Sequence, residues 1–359
     1  MIDRKHAKTM GPGDEKIPVK IDYDIVVEPG QEFTVDRFRP EDARGIAHLF
    51  FSEYGAGYPV ETYYFPERII EENRNGNLYS VMARTPRGDI VGHMALYRSS
   101  PPYPKLYEIG QGIVLPSYRT TFAAYKINRY IGETLAEEVR PDGIFGEAVC
   151  HITATQKSSA LIGMKPVALE IDLMPAEAYD KAQCASSRVS CVVLFRSFND
   201  RPREVFIPPV YGREIEFILE DLDLERTLTS SREEIPRDTE SHISVRFFPD
   251  AGVGRFTVLS AGWDFPGRVD HLEEQGAMNG TRIFQYFLNL AEPWAGRAVE
   301  CLRERGYFLG GYVPRWFDAD GLLMQKLGTV PDFAAIKLHS EKAKRIRDIV
   351  CSDRQRAGS

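Results

Sequence analysis

Residues 106–116 read Leu-Tyr-Glu-Ile-Gly-Gln-Gly-Ile-Val-Leu-Pro, and that run is the first place where residue types suggest chemistry. Strand alternation puts Glu108, Gly110 and Gly112 on one face, and Tyr107, Ile109, Gln111 and Ile113 on the other. Two glycines inside a strand weaken it and mark a bulge or a close approach to the backbone by something else. A carboxylate beside such a bare stretch, with its pKa lifted by partial burial, can take a proton from a nucleophile. A bulge with Glu108 held in a salt bridge is the competing reading. Directly beyond, Pro116-Ser117-Tyr118-Arg119-Thr120-Thr121-Phe122-Ala123-Ala124 turns from strand into helix. Free backbone N–H groups meet a cation and two hydroxyls there, which makes the turn a candidate anion site. Plain N-capping by Thr120 or Thr121 would use the same residues.

Glu147, Cys150 and His151 form the next candidate group. Cys150 and His151 are adjacent, so on a continuing strand they point to opposite faces and make no nucleophile–base pair. Cys150 reads as a small core residue. His151 is a candidate base and Glu147 a candidate holder of an amine, each set against ordinary local hydrogen bonding. His48, His93, His242, His271 and His339 lack ligand spacing, so no catalytic metal is expected. Tyr54, Tyr58, Tyr63, Tyr64 and Phe65 cluster as either a site wall or a packed patch. Trp294, Tyr307, Tyr312 and Trp316 read as core. Lys342, Lys344, Arg345 and Arg347 read as the solvated face of a terminal helix.

The elements that must position these residues are legible in outline. Residues 1–32 show no sustained period and read as an arm. Phe33-Thr34-Val35 is strand-like, Pro40-Glu41-Asp42 opens a helix that stops at Gly55, and Pro66-Glu67 opens another that closes at Asn75-Gly76. A hairpin follows, turning at Pro86-Arg87-Gly88-Asp89. After the Gly-bearing strand the spacing predicts one long helix over 120–139, then a strand over 144–149, a short helix to Gly163, and strands near 166–173 and 189–198. The stretch 199–242 holds several prolines, a helix over 212–220 and a polar run, and reads as a connection rather than a core. Strand–helix–Gly–strand order then recurs: Ile144 to Val149, Gly163-Met164 and Pro175 are echoed by Ile283 to Leu288, Gly306-Tyr307 and Pro314.

Composition sets the frame. The chain has 359 residues, 43% hydrophobic and 27% charged, with a net charge of −7, enough for two ordinary domains with a real core. That balance lacks the overall basic field of non-specific nucleic-acid binding. No apolar run approaches a membrane span, and five scattered cysteines give neither a disulfide framework nor a zinc clamp. A cytoplasmic protein is expected.

With this order of elements, residues 33–198 resemble the GNAT (N-acetyltransferase-like) acyltransferase superfamily. The Gly-bearing strand, Val114-x-Pro116-x-x-Arg119, the long helix and Gly163-Met164 carry the likeness. The second block also resembles a GNAT half, similar to bacterial proteins that carry two such halves in series. The resemblance implies that the fourth strand pairs with the pantetheine arm of acyl-CoA while the next loop wraps the pyrophosphate. It thereby implies donor-binding roles for Ile113, Val114, Leu115, Arg119, Thr120, Thr121, Phe122, Ala123 and Ala124, and for Ser159. Two residues depart from the pattern. Phe122 stands where the family has its first loop glycine, and Ser159 where it often has a tyrosine acid for the leaving thiolate. The second half lacks Val-x-Pro-x-x-Arg, so no nucleotide of its own is expected there.

The expected fold is therefore α/β, two GNAT-like halves in series: an arm (1–32), a catalytic domain (33–198), a connecting segment (199–242), a degenerate second half (243–330) and a basic helix and tail (331–359). The implied activity moves an acyl group from acyl-CoA, or from an acyl-phosphopantetheine on a carrier protein, to an amine on a small molecule or peptide. Glu108 would serve as base, and backbone N–H groups near Ile113 and Val114 would polarise the carbonyl. The alternatives are a non-catalytic GNAT-like binding or regulatory module and an aminoacyl-tRNA-dependent transferase; no membrane partner is expected.

Overall fold

The structure, a computed structural model, describes residues 25–55, 58, 60–175 and 188–357. Most of the expected arm and Cys184 lie outside the described residues. Chain order in the N-terminal half is β1 (Thr34–Arg37), α1 (Ala43–Tyr54), α2 (Pro66–Arg74), β2 (Leu78–Arg84), β3 (Ile90–Tyr97), β4 (Leu106–Val114), α3 (Ala123–Tyr130), α4 (Ala136–Val139), β5 (Gly143–Val149), α5 (Ala154–Ala160), β6 (Lys165–Met174) and β7 (Val189–Ser197). Helix α1 buries Ala43, Ile46, Ala47, Leu49 and Phe50, the stripe that its helical spacing dictates.

The connecting segment is more structured than its composition suggests. It forms β8 (Arg203–Ile207), α6 (Gly212–Leu219) and β9 (Arg226–Ser230), with β8 and β9 paired in parallel. Val205, Ile207, Tyr211, Ile215 and Ile218 are buried, so the segment adds to the core instead of merely spanning it. The prolines that read as linker punctuation flank these short elements. The C-terminal half follows as β10 (His242–Phe248), β11 (Val253–Ser260), α7 (Phe265–Met278), β12 (Ile283–Asn289), α8 (Ala295–Arg303), β13 (Phe308–Phe317), β14 (Ala319–Leu327) and α9 (Glu341–Ala357).

Both halves enter one mixed sheet of 12 strands, ordered β1-β2-β3-β4-β5-β7-β6-β13-β14-β12-β11-β10. The fold is α/β, and β11–α7–β12–α8–β13–β14 repeats the order β4–α3–β5–α5–β6–β7. The halves meet where β6 runs beside β13. Gly311 there has φ 143°, and a Cβ would lie 2.5 Å from the Ala168 Cα, so only glycine permits the approach. Past that point the Gln325 side chain replaces the ladder. Its Oε1 accepts from Ile171 N–H at 2.9 Å and its Nε2 donates to Leu169 C=O at 2.9 Å.

The terminal helix departs from the expected solvated face. Ala343, Ile346, Val350 and Asp353 of α9 are buried, and Asp353 accepts from Leu309 N–H at 2.8 Å and from Tyr211 Oη at 2.7 Å. Its other basic residues lie toward the outer side of an amphipathic helix, while Lys342 is half-buried and donates to Ile218 C=O at 2.7 Å. Trp294, Tyr307, Tyr312 and Trp316 are core, as expected.

Candidate active site

Strands β4 and β5 run parallel, yet they pair only at Leu106↔Gly143, Tyr107↔Ile144 and Glu108↔Phe145. Beyond Glu108 no further pair forms, although Ile109 C=O still lies against Gly146, where a Cβ would stand 3.0 Å from it. Strand β5 stays paired with β7 as far as Val149, and β4 stays paired with β3 as far as Val114, so each arm of the fork is held from its outer side. In the second half the corresponding parallel pair, β11 and β12, is joined at every position from Val253↔Ile283 to Val258↔Leu288. One half opens a slot between its central strands; the other closes it.

The β4 arm carries a bulge. Ala95 faces Gly110 and His93 faces Ile113, so Gln111 and Gly112 share one opposing residue, and Gln111 takes φ 57°. The bulge breaks the simple alternation read from the sequence: Ile113 joins Glu108 and Gly110 on one face instead of opposing them. His93 braces the bulge from beneath. Burial pushes its pKa down to about 4, so the ring is neutral. Its Nδ1 lies 3.0 Å from Gln111 C=O, which can only accept, so Nδ1 carries the proton and Nε2 accepts from the Ser80 hydroxyl at 3.1 Å. Tyr63 donates to the Gln111 side chain.

The glycines of β4 also differ from the expected bare stretch. A Cβ on Gly110 would stand 2.8 Å from Tyr97 Oη, and one on Gly112 would stand 2.8 Å from Met94 Cε. Side chains of β3 fill the space, and the Tyr97 hydroxyl crosses Gly110 to donate to Glu108.

Ladder phase decides which amides face the slot. Leu115 N–H donates to Val91 C=O at 3.0 Å, and register continues through Val114↔Gly92 and Ile113↔His93. Alternation of antiparallel bonds then turns the Val114 N–H away from β3 and into the slot, while the Ile113 N–H faces His93. Of the two amides expected near the thioester carbonyl, the structure presents Val114 and spends Ile113 on the ladder.

A cleft of about 620 Å³ opens at the fork, within the usual range for small-molecule sites. Glu108 and Glu147 line it from β4 and β5, Tyr54 from the end of α1 and Tyr58 from the connection after it. Phe247, Phe248 and Arg255 reach it from the β10–β11 hairpin of the second half. Tyr63 and Tyr64 of the aromatic cluster are buried behind it, Tyr63 stacked on Phe50 with centroids 3.9 Å apart. The tyrosine-rich connection is thus both wall and packed patch.

Electrostatics concentrate in the same place. Burial, with Glu147 nearby, pushes the Glu108 carboxyl up to about 7 against the hydroxyls of Ser99 and Tyr97 and the Arg255 cation. Burial and Glu147 likewise lift Glu170, from β6, to about 8. Arg255 Nη2 bonds Glu147 Oε1 at 2.7 Å and Glu170 Oε1 at 2.9 Å. Glu170 and Arg255 carry no motif and went unassigned in the sequence. Arg255 is the one charge of β11 and Glu170 sits between the apolar Leu169 and Ile171 of β6, and a buried charge must find a partner.

Other expected residues fall elsewhere. His151 does not line the cleft; it lies past the end of β5 beside Lys337, and burial and that cation lower its pKa. Cys150 is a buried core thiol, its pKa pushed up to about 12 by desolvation. Ser159 is buried on α5, outside the cleft.

The expected anion turn is also built differently. Pro116–Tyr118 forms a short 3-10 turn and α3 begins at Ala123, three residues later than the spacing predicts. Thr120 therefore sits in the turn, and the Thr121 hydroxyl donates to Tyr118 C=O at 2.7 Å while accepting from Ala123 N–H at 3.2 Å. Arg119 pairs with Glu53 at 2.5 Å and donates to Val114 C=O at 3.2 Å. Phe122 projects outward, 73% exposed, and Leu115, Ala123 and Ala124 are backbone-only candidates at this turn. The long helix is interrupted by a π-helical turn over Ile131–Leu135 before α4. Among the described residues no cluster of His, Cys, Asp or Glu has the makings of a metal site, and no helix is long and apolar enough to cross a membrane.

No protein-family model matches the chain, and no curated protein does. Solved structures do. An N-acetyltransferase from Staphylococcus aureus Mu50 aligns over 46% of this chain and 98% of its own, with 14% identity and a TM-score of 0.37. A GNAT superfamily phosphinothricin acetyltransferase from Sinorhizobium meliloti, in complex with AcCoA, aligns over 46% and 89%, with 13% identity and a TM-score of 0.37. A spermidine/spermine N-acetyltransferase from Vibrio cholerae aligns over 46% and 92%, with 11% identity and a TM-score of 0.37. At these identities what the site does must be read from its own residues.

Proposed function

We propose that this protein is an acyltransferase that moves an acyl group from a pantetheine thioester to an amine at the β4–β5 fork. The observation that carries the reading is the end of β4–β5 pairing at Glu108, a carboxylate lining a cleft where two strands part. A parallel pair that opens leaves strand-edge amides unpaired, and an extended amide-bearing tether such as pantetheine can pair with them. The Val114 N–H is the donor best oriented to polarise the thioester carbonyl.

The amine enters from the cleft as an ammonium ion. Glu108, ionised above about pH 7, removes one proton. The nitrogen lone pair then attacks the carbonyl carbon, forming the C–N bond, and collapse of the adduct breaks the C–S bond. The second nitrogen proton ends on the departing sulfur, so the products are an amide, a thiol and one released proton. Ser159 is buried outside the cleft and takes no part; a thiolate is a good enough leaving group to depart unassisted and then take up that second proton through solvent.

The walls suggest the acceptor. Tyr54, Tyr58, Leu173, Met174, Phe247 and Phe248 surround an acidic floor, which suits an amine on an apolar body. The donor is acyl-CoA or a carrier-borne acyl-phosphopantetheine, and the proposed catalytic unit is residues 33–198 with the second half as a wall. Thiol release from acyl-CoA and from acyl-pantetheine, measured with and without a panel of hydrophobic primary amines, tests the reading. Amine-dependent release with a matching amide in the mass spectrum supports it; no amine-dependent release from either donor, or from an acyl-carrier protein, defeats it.

A further inference from the structure

Arg255 belongs to β11, in the C-terminal half, but its carboxylate partners all come from the N-terminal half. It is 8% exposed. Beyond its bonds to Glu147 and Glu170, Nη1 donates to Ser100 Oγ at 3.0 Å and Nε donates to Gln285 Oε1 at 2.8 Å. Gln285, fully buried on β12, turns its Nε2 onto Glu170 Oε1 at 2.8 Å and locks the guanidinium in orientation. Arg255 thus bonds two carboxylates, Glu147 and Glu170, and its charge also acts on a third, Glu108, which lines the same cleft. A buried ion pair placed only for stability is a poor investment, and one with surplus carboxylates is worse. Glu170 Oε2 is buried with no hydrogen-bond partner among the described residues.

We propose that Arg255 is a positioning residue of the acyl-transfer site: it holds Glu147 on the cleft wall and supplies the positive charge against which Glu108 ionises. The C-terminal half, whose own central strands are closed, then completes the active site of the other half. The inference rests on the acyl-transfer reading and adds to it a role for the second half. The groups facing Glu108 are Tyr58 from the α1–α2 connection, Tyr97 from β3, Glu147 from β5, Glu170 from β6 and Arg255 from β11. Cys191 of β7 and Arg246 of β10 lie around Arg255. Among them Arg255 lowers the proton affinity of Glu108 and Glu147 raises it. Removing the two should therefore move Glu108 in opposite directions, which loss of packing alone would not do.

The test is kcat/KM against pH for the full chain and for Arg255→Gln, Arg255→Lys and Glu147→Gln, with carbon-13 NMR titration of the glutamate carboxyls as a readout free of turnover. The rising limb and the Glu108 carboxyl are expected to move up by about one pH unit or more in Arg255→Gln, a tenfold change in proton affinity. Arg255→Lys should recover part of that shift, and Glu147→Gln should move the limb down. Should Arg255→Gln fail to fold, Gln285→Met, which frees the guanidinium without removing its charge, should still move the limb up. An active wild type whose limb stays fixed in the folded arginine variant, or in Gln285→Met, overturns the role of Arg255 alone. A wild type with no amine-dependent turnover overturns the acyl-transfer reading, and the NMR shift then still reports whether Arg255 sets the Glu108 charge.

Discussion

Glu108 and Glu147 line one cleft from strands that have just parted: Glu108 is the last β4 residue paired to β5, and Glu147 lies two residues past its partner Phe145. Strand alternation puts Glu147 on the same sheet face as Phe145, and so as Glu108, and both carboxylates open onto the one cleft above that face.

Glu108→Gln keeps shape and removes the base. Its kcat should fall by ~10²-fold or more, since general base catalysis contributes that much. Far-UV circular dichroism should be unchanged. A variant retaining near-normal kcat would remove Glu108 from the mechanism.

The pH dependence follows from the raised Glu108 pKa. In the free enzyme kcat/KM should rise with pH through about 7, and the limb should vanish in Glu108→Gln. Stability has the opposite sign. The folded pKa lies above the unfolded value of 4.5, so the folded state holds its proton longer. The stabilisation from that proton is full below 4.5 and is lost as pH rises through about 7. Urea unfolding at pH 5 and pH 8 should show a smaller loss of stability with rising pH in Glu108→Gln than in the wild type.

Tyr97 and Gly110 act as a unit. Tyr97→Phe removes a hydrogen bond to the ionised carboxylate, so the kcat/KM limb should move to higher pH while the chain stays folded. Gly110→Val should cost more, because its side chain would occupy the path of the tyrosyl hydroxyl. A lowered thermal midpoint together with the same alkaline shift is expected.

Much of this site is written in the sequence, and the parts that are not have physical reasons. Glycines in β4 and Val114-x-Pro116-x-x-Arg119 mark the strand and its exit, and Glu108 and Glu147, candidates by residue type, both line the cleft. The bulge was hidden because Gln111, a residue that rarely adopts positive φ, takes the left-handed conformation while flanked by two glycines that do not. One extra residue reversed the face of Ile113 and the direction of its amide. The helix starts at Ala123 rather than Thr120, with the Thr121 hydroxyl spent on the backbone of the turn before it. Arg255 escaped because its partners come from strands far apart in sequence, joined only when the two halves share a sheet. Glu170, Gln285 and Gln325 share that signature, buried polar residues whose partners lie on strands far away in sequence.

The Val114 amide offers a separate test. Val114→Pro removes the N–H that faces the slot, a group the β3 ladder does not use. Loss of one carbonyl-polarising donor costs on the order of 10²-fold in kcat. The variant should show that loss with cooperative unfolding retained, and an unchanged kcat would assign the donor elsewhere.

The central claim is that the gap between β4 and β5 receives a pantetheine tether. Diffraction from crystals soaked with an acyl-CoA analogue in which a methylene replaces the thioester sulfur, keeping the carbonyl but unable to transfer the acyl group, addresses it most directly. The account predicts density for the tether between residues 110–114 and 147–149, with the acyl carbonyl at the Val114 N–H and its carbon facing Glu108. An analogue bound elsewhere, or β4 and β5 closed in its presence, would contradict it.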